Sequence, residues 1–471
     1  MSVPPAALAE LTATDPSGVA EALDLITGVD GALEHGLGRP DPAHARALAD
    51  LAGAMSATPL GAVVGEAVET IASGSIADTQ TAALAGGRGA LVGAVHDALL
   101  AALDGATGRA RDEAPAPQEP AADGAADERF GGVRSWLTEL AINGWRGVDG
   151  ELASGADQAI ETLLADPALR RPAVLLDGLA AELRACAPTA TMEGLPTRRW
   201  ADLWARALVL TQRGALPGPG ATAEPVTGRL LPLGVDVHEH ATAVQAQVHA
   251  VLEPADGGPA RLVRTAVSAA KVDVIVGPAV WGLLADHPVL LGALAEQCSL
   301  EVADMPLTAG GDLLWDDALA GKGEPADPFV TARVALPAAV APAVPPLERH
   351  PTRIAEPVLL EGYKKAETPR GPAFDLGDTV LPVATDRLPA CGPLTDKLVA
   401  SSSACIGLMR WDAGGWSVQP LAVQAKVKRV LTGVHTGDWA LGPTDPKVAK
   451  AEARYDALGV LRERAGRLLR R

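Results

Sequence analysis

In GVDVHEHATAV, residues 234 to 244, an aspartate and two histidines recur at every second position. On a β-strand, whose side chains alternate between faces, Asp236, His238 and His240 point the same way. Neighbours on one strand face stand about 6.5 to 7 Å apart, and two such imidazoles can lean onto a single divalent metal. A working centre needs further ligands and hydrogen-bond partners for the free ring nitrogens. Asp236 and His249, the latter on the next expected strand, are the nearest candidates. This reading implies a metal-dependent hydrolase. The alternative is the polar end of a half-exposed strand, with no cofactor and no catalytic residue.

Asp304, Asp312, Asp316, Asp317, Glu324 and Asp327 gather carboxylates in a second stretch. They could serve acid/base or metal-assisted hydrolysis if two of them faced one cleft; otherwise they are solvated loop residues. Gly321-Lys322-Gly323 departs from a phosphate loop, because Asp316 stands where the motif needs its first glycine and no Ser or Thr follows the lysine. Neither a nucleophile elbow, a zincin helix, a dinucleotide-binding glycine fingerprint nor a protein-kinase set is found.

The chain of 471 residues has room for several domains. It is 48% hydrophobic but only 3% aromatic, so its core must rest on Ala, Leu and Val, with 9 Trp as anchors. A net charge of -18 argues against indiscriminate binding to nucleic acid or to an anionic membrane. The charge is uneven: residues 1–107 hold 13 acidic against 3 basic side chains, whereas 445–471 hold 4 acidic against 8 basic. Cys186, Cys298, Cys391 and Cys405 form no C-x-x-C pair and suit a reducing compartment. The first basic residue is Arg39, and no uncharged run approaches the roughly 20 residues of a membrane span. A cytoplasmic location is expected.

The elements that must hold these residues change along the chain. Asp15-Pro16, Asp41-Pro42, Asp166-Pro167 and Asp445-Pro446 each read as a helix start, with Asp as cap and Pro at the first helical position. Trp136, Trp200, Trp204 and Leu208 fall at helical spacing and read as core. After residue 226 the pattern alternates: Val244, Ala246, Val248, Ala250 and Leu252 on one strand face, Gln245, Gln247 and His249 on the other. VDVIV reads as a short buried strand and LEVADMPL as another. CIGLMRWDAGGWSVQPLAVQ reads as a hairpin whose loop, Asp412 to Gly415, sets Trp411 against Trp416.

The expected class is therefore an α+β multidomain chain, with all-helical modules at the N-terminus and a strand-rich mixed α/β C-terminal half that ends in a basic helix. Its parts are a helical module over 1–107, a disordered linker over 108–129, a second helical module over 130–214 and a linker over 215–226. A mixed α+β domain over 227–334, a Pro/Ala connector over 335–350 and a strand-rich region over 351–471 follow. In the terminal helix an apolar stripe through Val448, Tyr455, Leu458, Leu461 and Leu468 can dock on the preceding sheet. Arg462, Arg464, Arg467, Arg470 and Arg471 are left to meet an acidic protein partner or, in a third reading, nucleic acid.

VTGRLLPLGVDVHEHATAVQAQVHAVLE, VGPAVWGLLADHPVLLGAL, EPADPFVTARVALP and RIAEPVLLEGY resemble actinobacterial proteins encoded beside a SWIM zinc-finger protein, a MoxR-type AAA ATPase and a von Willebrand A-domain protein. The resemblance covers roughly Val226 to Tyr363. It implies an accessory role in an ATPase-centred assembly, with the SWIM protein or the ATPase as partner. The zinc ligands of the SWIM protein have no counterpart in this chain. A non-enzymatic adaptor or scaffold is the expected function.

Overall fold

The computed structural model describes residues 4–113, 128–166, 169–212, 223–240, 242–272, 274–349, 354–369, 371–412, 414–427, 429–452 and 459. They divide into a helical unit, 16–98 with 116–221, and a sheet unit, 1–15 with 99–115 and 222–471. The chain is thus a mixed α+β protein with its helices concentrated in the N-terminal half. Residues 16–98 and 130–214, expected in two separate helical modules, fall in one unit, joined across by the Arg88–Asp202 ion pair, whereas 1–15 and 99–107 belong to the sheet unit.

The N-terminal helices are α1 (Pro5–Ala13), α2 (Val19–His35), α3 (Pro42–Met55), α4 (Gly61–Ala72) and α5 (Asp78–Thr107). There follow α6 (Gly131–Asn143), α7 (Gly150–Ser154), α8 (Asp157–Leu164), α9 (Arg170–Cys186) and α10 (Thr197–Leu210). The Asp-Pro signal holds at α3, where Asp41 accepts the His44 backbone N–H at 2.8 Å. At Asp15 it does not, since α2 starts later, after Gly18 in the left-handed region. Trp136, Trp145, Trp200 and Trp204 are all buried in the helical unit. Two of their indoles donate to backbone carbonyls of neighbouring helices: Trp204 Nε1 to Leu137 and Trp136 Nε1 to Leu152.

By length and composition α5 is long and apolar enough to cross a membrane. An uncharged-run test passes over it because Arg88 and Asp97 interrupt the sequence. Arg88 is buried, and its guanidinium binds Asp30 and Asp202 on α2 and α10 at 2.6 and 2.7 Å. This ion-pair cluster ties three helices at a fixed register.

The sheet unit holds β1 (Glu224–Glu239), β2 (Ala243–Pro254), β3 (Arg261–Ala270), α11 (Pro288–Glu296), β4 (Cys298–Leu307), β5 (Asp312–Leu313), β6 (Ala320–Pro325) and α12 (Pro328–Val334). Strands β1 to β6 form one sheet in the order β1-β2-β3-β5-β4-β6, and β1 also pairs with β4, so the sheet closes on itself. Its interior takes the apolar face of β2 as expected, with Leu230, Val235, Leu300, Val302 and the cap of Trp281 and Leu290. A register shift between Pro232 and Gly234 lets β1 change the face it offers. Leu231 and Leu233 therefore point outward with Asp236 beyond them, towards a second sheet.

That second sheet comprises β7 (Ala355–Glu361), β11 (Ser402–Asp412), β12 (Gly415–Val427) and β13 (Val430–His435), in the order β13-β12-β11-β7. A small sheet of β8 (Lys364–Thr368), β9 (Gly371–Asp375) and β10 (Val380–Pro382), then α13 (Asp396–Ala400) and α14 (Pro446–Glu452), complete the unit. One half of the contact between the two large sheets is apolar: Leu231, Leu233, Val251 and Leu262 meet Leu359, Ile406 and Ala422. A Cβ on Gly234 would stand 2.6 Å from Leu421, so only glycine admits this closeness.

Several expectations change here. The VDVIV segment is not a strand: Val272, Val274 and Val276 are exposed and only Ile275 enters the core. The Pro/Ala connector 335–350 is packed against the sheet unit. Ala335, Leu336, Ala339 and Ala341 are buried, because small apolar side chains fit under the edge of the closed sheet. The start of the 108–129 linker is held by ion pairs of Arg109 and Arg111, and Arg111 pairs with Ala341; residues 114–127 lie outside the described residues. Glu224 to Val226, placed in a linker, open β1. The Trp411–Trp416 pair is present, and each of its strands runs one residue further than expected, to Asp412 and Gly415. Of the C-terminal helix, Pro446–Glu452 is seen with Asp445 as its cap; Arg462, Arg464, Arg467, Arg470 and Arg471 lie outside the described residues.

β12 and β13 are joined by a tight turn in which Arg429 holds a φ of +72°, a left-handed conformation that costs a residue with a Cβ. Arg429→Gly is expected to raise the stability of the sheet unit by about 0.5–1 kcal/mol, the part of that strain left after glycine's extra backbone entropy. Urea denaturation checks this.

Candidate functional site

The other half of the contact between the large sheets is polar. On β1, Asp236 and His238 share a face, and His238 Nε2 lies 3.1 Å from Asp236 Oδ2. On β2, Gln247 stands opposite Asp236 and His249 opposite Gly234, with Arg264 of β3 next to His249. From the facing sheet, Arg410 on β11 donates to Asp236 Oδ2 and Gln419 on β12 to Oδ1, each at 2.7 Å. Arg410 Nε also donates to Gln419 Oε1, so the three side chains close a ring. Burial by itself raises the Asp236 carboxyl, but the hydrogen bonds and charges of His238, Arg410 and Gln419 hold it at about 2.

A second set of charges continues this layer. Glu356 on β7 accepts from Arg109 at 3.1 Å and pairs with Arg111 at 3.2 Å; Arg111 also binds Asp104 at 2.6 Å. Burial pushes Glu356 up, and the two guanidinium groups bring it below its ordinary value. Arg264 pairs with Asp312 and, at 3.7 Å, with Glu348. His249 is buried among these groups, and its Nε2 has no hydrogen-bond partner among the described residues. Burial first, then Arg264 and Arg410, bring its pKa down to about 4 against the opposing pull of Asp236 and Glu356, so the ring is neutral at pH 7. A water molecule in this layer would satisfy that nitrogen.

Of the proposed metal ligands, the structure unites Asp236 and His238 but not His240. β1 ends at Glu239, and His240 is exposed in the turn to β2, its N–H donating to the Ala243 carbonyl. Among the described residues no group of three or more His, Cys, Asp or Glu side chains is placed to hold a metal ion. The second acidic stretch is dispersed rather than gathered in a cleft. Asp316 and Asp327 accept backbone N–H groups at helix starts, Asp317 accepts from Val289 and Trp315, and Asp312 binds Arg264. Lys322 pairs with Glu296.

A small cavity lies where the irregular part of β1 meets the end of α11 and the start of α12, lined by Gly234, Gln297, Cys298, Pro328, His435 and Gly437 among others. His435 is buried, and Nδ1 has no partner among the described residues. Burial lowers its pKa against Asp438 and Asp327. The Cys298 thiol donates to the Glu296 carbonyl at 3.6 Å. Burial pushes the Cys391 thiol up to about 12 and raises Cys405 as well, so both are protonated, unreactive thiols at neutral pH.

Sequence reasoning missed Arg410, Gln419 and Glu356. For the first two a signal was present in LMRW and VQPL, where one charged or amide residue interrupts an otherwise apolar run. On a strand buried on both faces, such a residue requires a polar partner across the layer.

Comparison of the chain with protein-family models, curated proteins and solved structures finds no match.

Proposed function

We propose that the chain is a non-catalytic adaptor that works in the cytoplasm as an accessory subunit of an assembly of a MoxR-type AAA ATPase and a von Willebrand A-domain protein. The observation that carries this reading is the engagement of Asp236. The one buried carboxylate next to a histidine on the polar strand face has both oxygens committed to Arg410 and Gln419. A general base needs a lone pair directed at a substrate, and a metal ligand needs one directed at the ion. Asp236 instead joins the two large sheets. The resemblance of Val226 to Tyr363 to proteins encoded beside such an ATPase supports the choice of assembly, and the excess of acidic residues supports a protein partner over nucleic acid.

Isothermal titration of the purified chain with the proposed partner, a MoxR-type ATPase, tests the reading. Saturable binding is expected. Absence of binding to the ATPase and to the von Willebrand A-domain protein contradicts it. Stoichiometric zinc, manganese or iron in the purified chain, lost in the His238→Ala/His240→Ala double variant, would replace it with the hydrolase reading.

A further inference from the structure

β13 is the outer strand of its sheet, and among the described residues no strand pairs with its free side. Exposed edges in natural proteins are blunted by charged residues, proline or a covering segment, because unpaired N–H and C=O groups recruit other strands. From Val430 to Val434 this strand carries neither charge nor proline. Val430 and Leu431 are 65% and 56% exposed. α12 lies against the same end of the sheet: the Phe329 ring faces Gly433, Arg333 reaches Gln424, and Val330 is exposed on that helix. The end of β12 and the turn that leads into β13 are basic in a chain of net charge -18. Lys426 and Arg429 are exposed, with no ion-pair partner among the described residues. Arg429 also holds the left-handed conformation that glycine or asparagine would adopt with less strain. Apolar side chains, an open backbone ladder and two free cations thus meet along one edge.

We infer that the free edge of β13 is a docking edge, to which an extended acidic segment of a protein partner adds as a further strand. The ladder supplies main-chain hydrogen bonds, Val430 and Leu431 supply apolar contacts, and Lys426 and Arg429 select carboxylates. The inference rests on the adaptor reading and names the surface through which it would act.

The test uses the full chain and a fluorescein-labelled peptide, Glu-Thr-Val-Glu-Val-Thr-Glu, read by anisotropy. Saturable binding is expected, weakening steeply with salt and falling about tenfold or more in Lys426→Glu/Arg429→Glu and in Leu431→Asp. A peptide N-methylated at alternate residues, or one with Lys in place of Glu, is expected not to bind. Equal binding of the methylated or the lysine peptide overturns the inference, as does no binding of the acidic one. Concentration-dependent dimers that dissociate in Leu431→Asp would place a second copy on the edge and overturn the acidic partner. If Leu431→Asp fails to fold, the charge-reversal variant and the peptide series still decide. An ATPase that binds the chain and its charge-reversal variant equally leaves the adaptor reading intact and removes this edge from it. An acidic peptide that binds where the ATPase does not leaves the edge intact and removes the assembly.

Discussion

Asp236→Ala is expected to destabilise the sheet unit by about 3–5 kcal/mol, the usual cost of removing one member of a buried ion pair. Asp236 is 4% exposed and Arg410 8%, and both oxygens of the carboxylate are taken by the facing sheet. Without it, the Arg410 guanidinium stays buried with only Gln419 and no counter-charge from β1. The double variant Asp236→Ala/Arg410→Met is expected to recover most of the loss, because it leaves no unpaired charge between the sheets. Hydrogen exchange at the amides of β11 and β12 reads the effect within this unit. A change below about 1 kcal/mol, the value of an exposed pair, would show that the pair is solvated rather than structural.

Acid is expected to weaken the same unit in two steps. His249 has a pKa of about 4 in the folded chain against an ordinary 6.5. Between those values the unfolded chain takes up the proton and the folded chain does not, so stability falls as pH drops from 6.5 to 4, by about 3 kcal/mol. Asp236 follows. Its carboxyl is held at about 2 against an ordinary 3.8, so the unfolded chain binds that proton first, and stability falls again between pH 3.8 and 2. His435, also lowered, adds to the first step in the same sense. In His249→Leu the first step should shrink by its share while the second remains. Urea midpoints measured from pH 7.5 to 2 check this, and superimposable curves for the two proteins would contradict it.

The sequence made the helical half and the strands β1, β2 and β4 legible because their periodicities are regular, and the Trp411–Trp416 hairpin because an aromatic pair flanks a glycine turn. The Asp-Pro rule found α3 and α14 but passed over Asp327-Pro328, which caps α12 with two backbone N–H groups. VDVIV misled because β-branched residues fit any extended backbone, paired or not. The closed sheet was hidden, since β1 pairs with β4 between 70 and 83 residues away and no local pattern encodes such a pairing. For the same reason Asp236 and His238 could be placed on one face, but not the Arg410 and Gln419 that decide their role. His240 was assigned to that face on the assumption that the strand continues past Glu239, where the chain already turns.

The central claim is that the polar layer holds the sheets together and the working surface lies outside it. The most direct measurement is the dissociation constant of the proposed partner, a MoxR-type ATPase, for the Asp236→Ala/Arg410→Met variant alongside the unaltered chain. The account predicts equal constants from a correctly folded variant. Binding lost in that variant, with the fold intact by hydrogen exchange, would contradict it and return the function to the layer around Asp236.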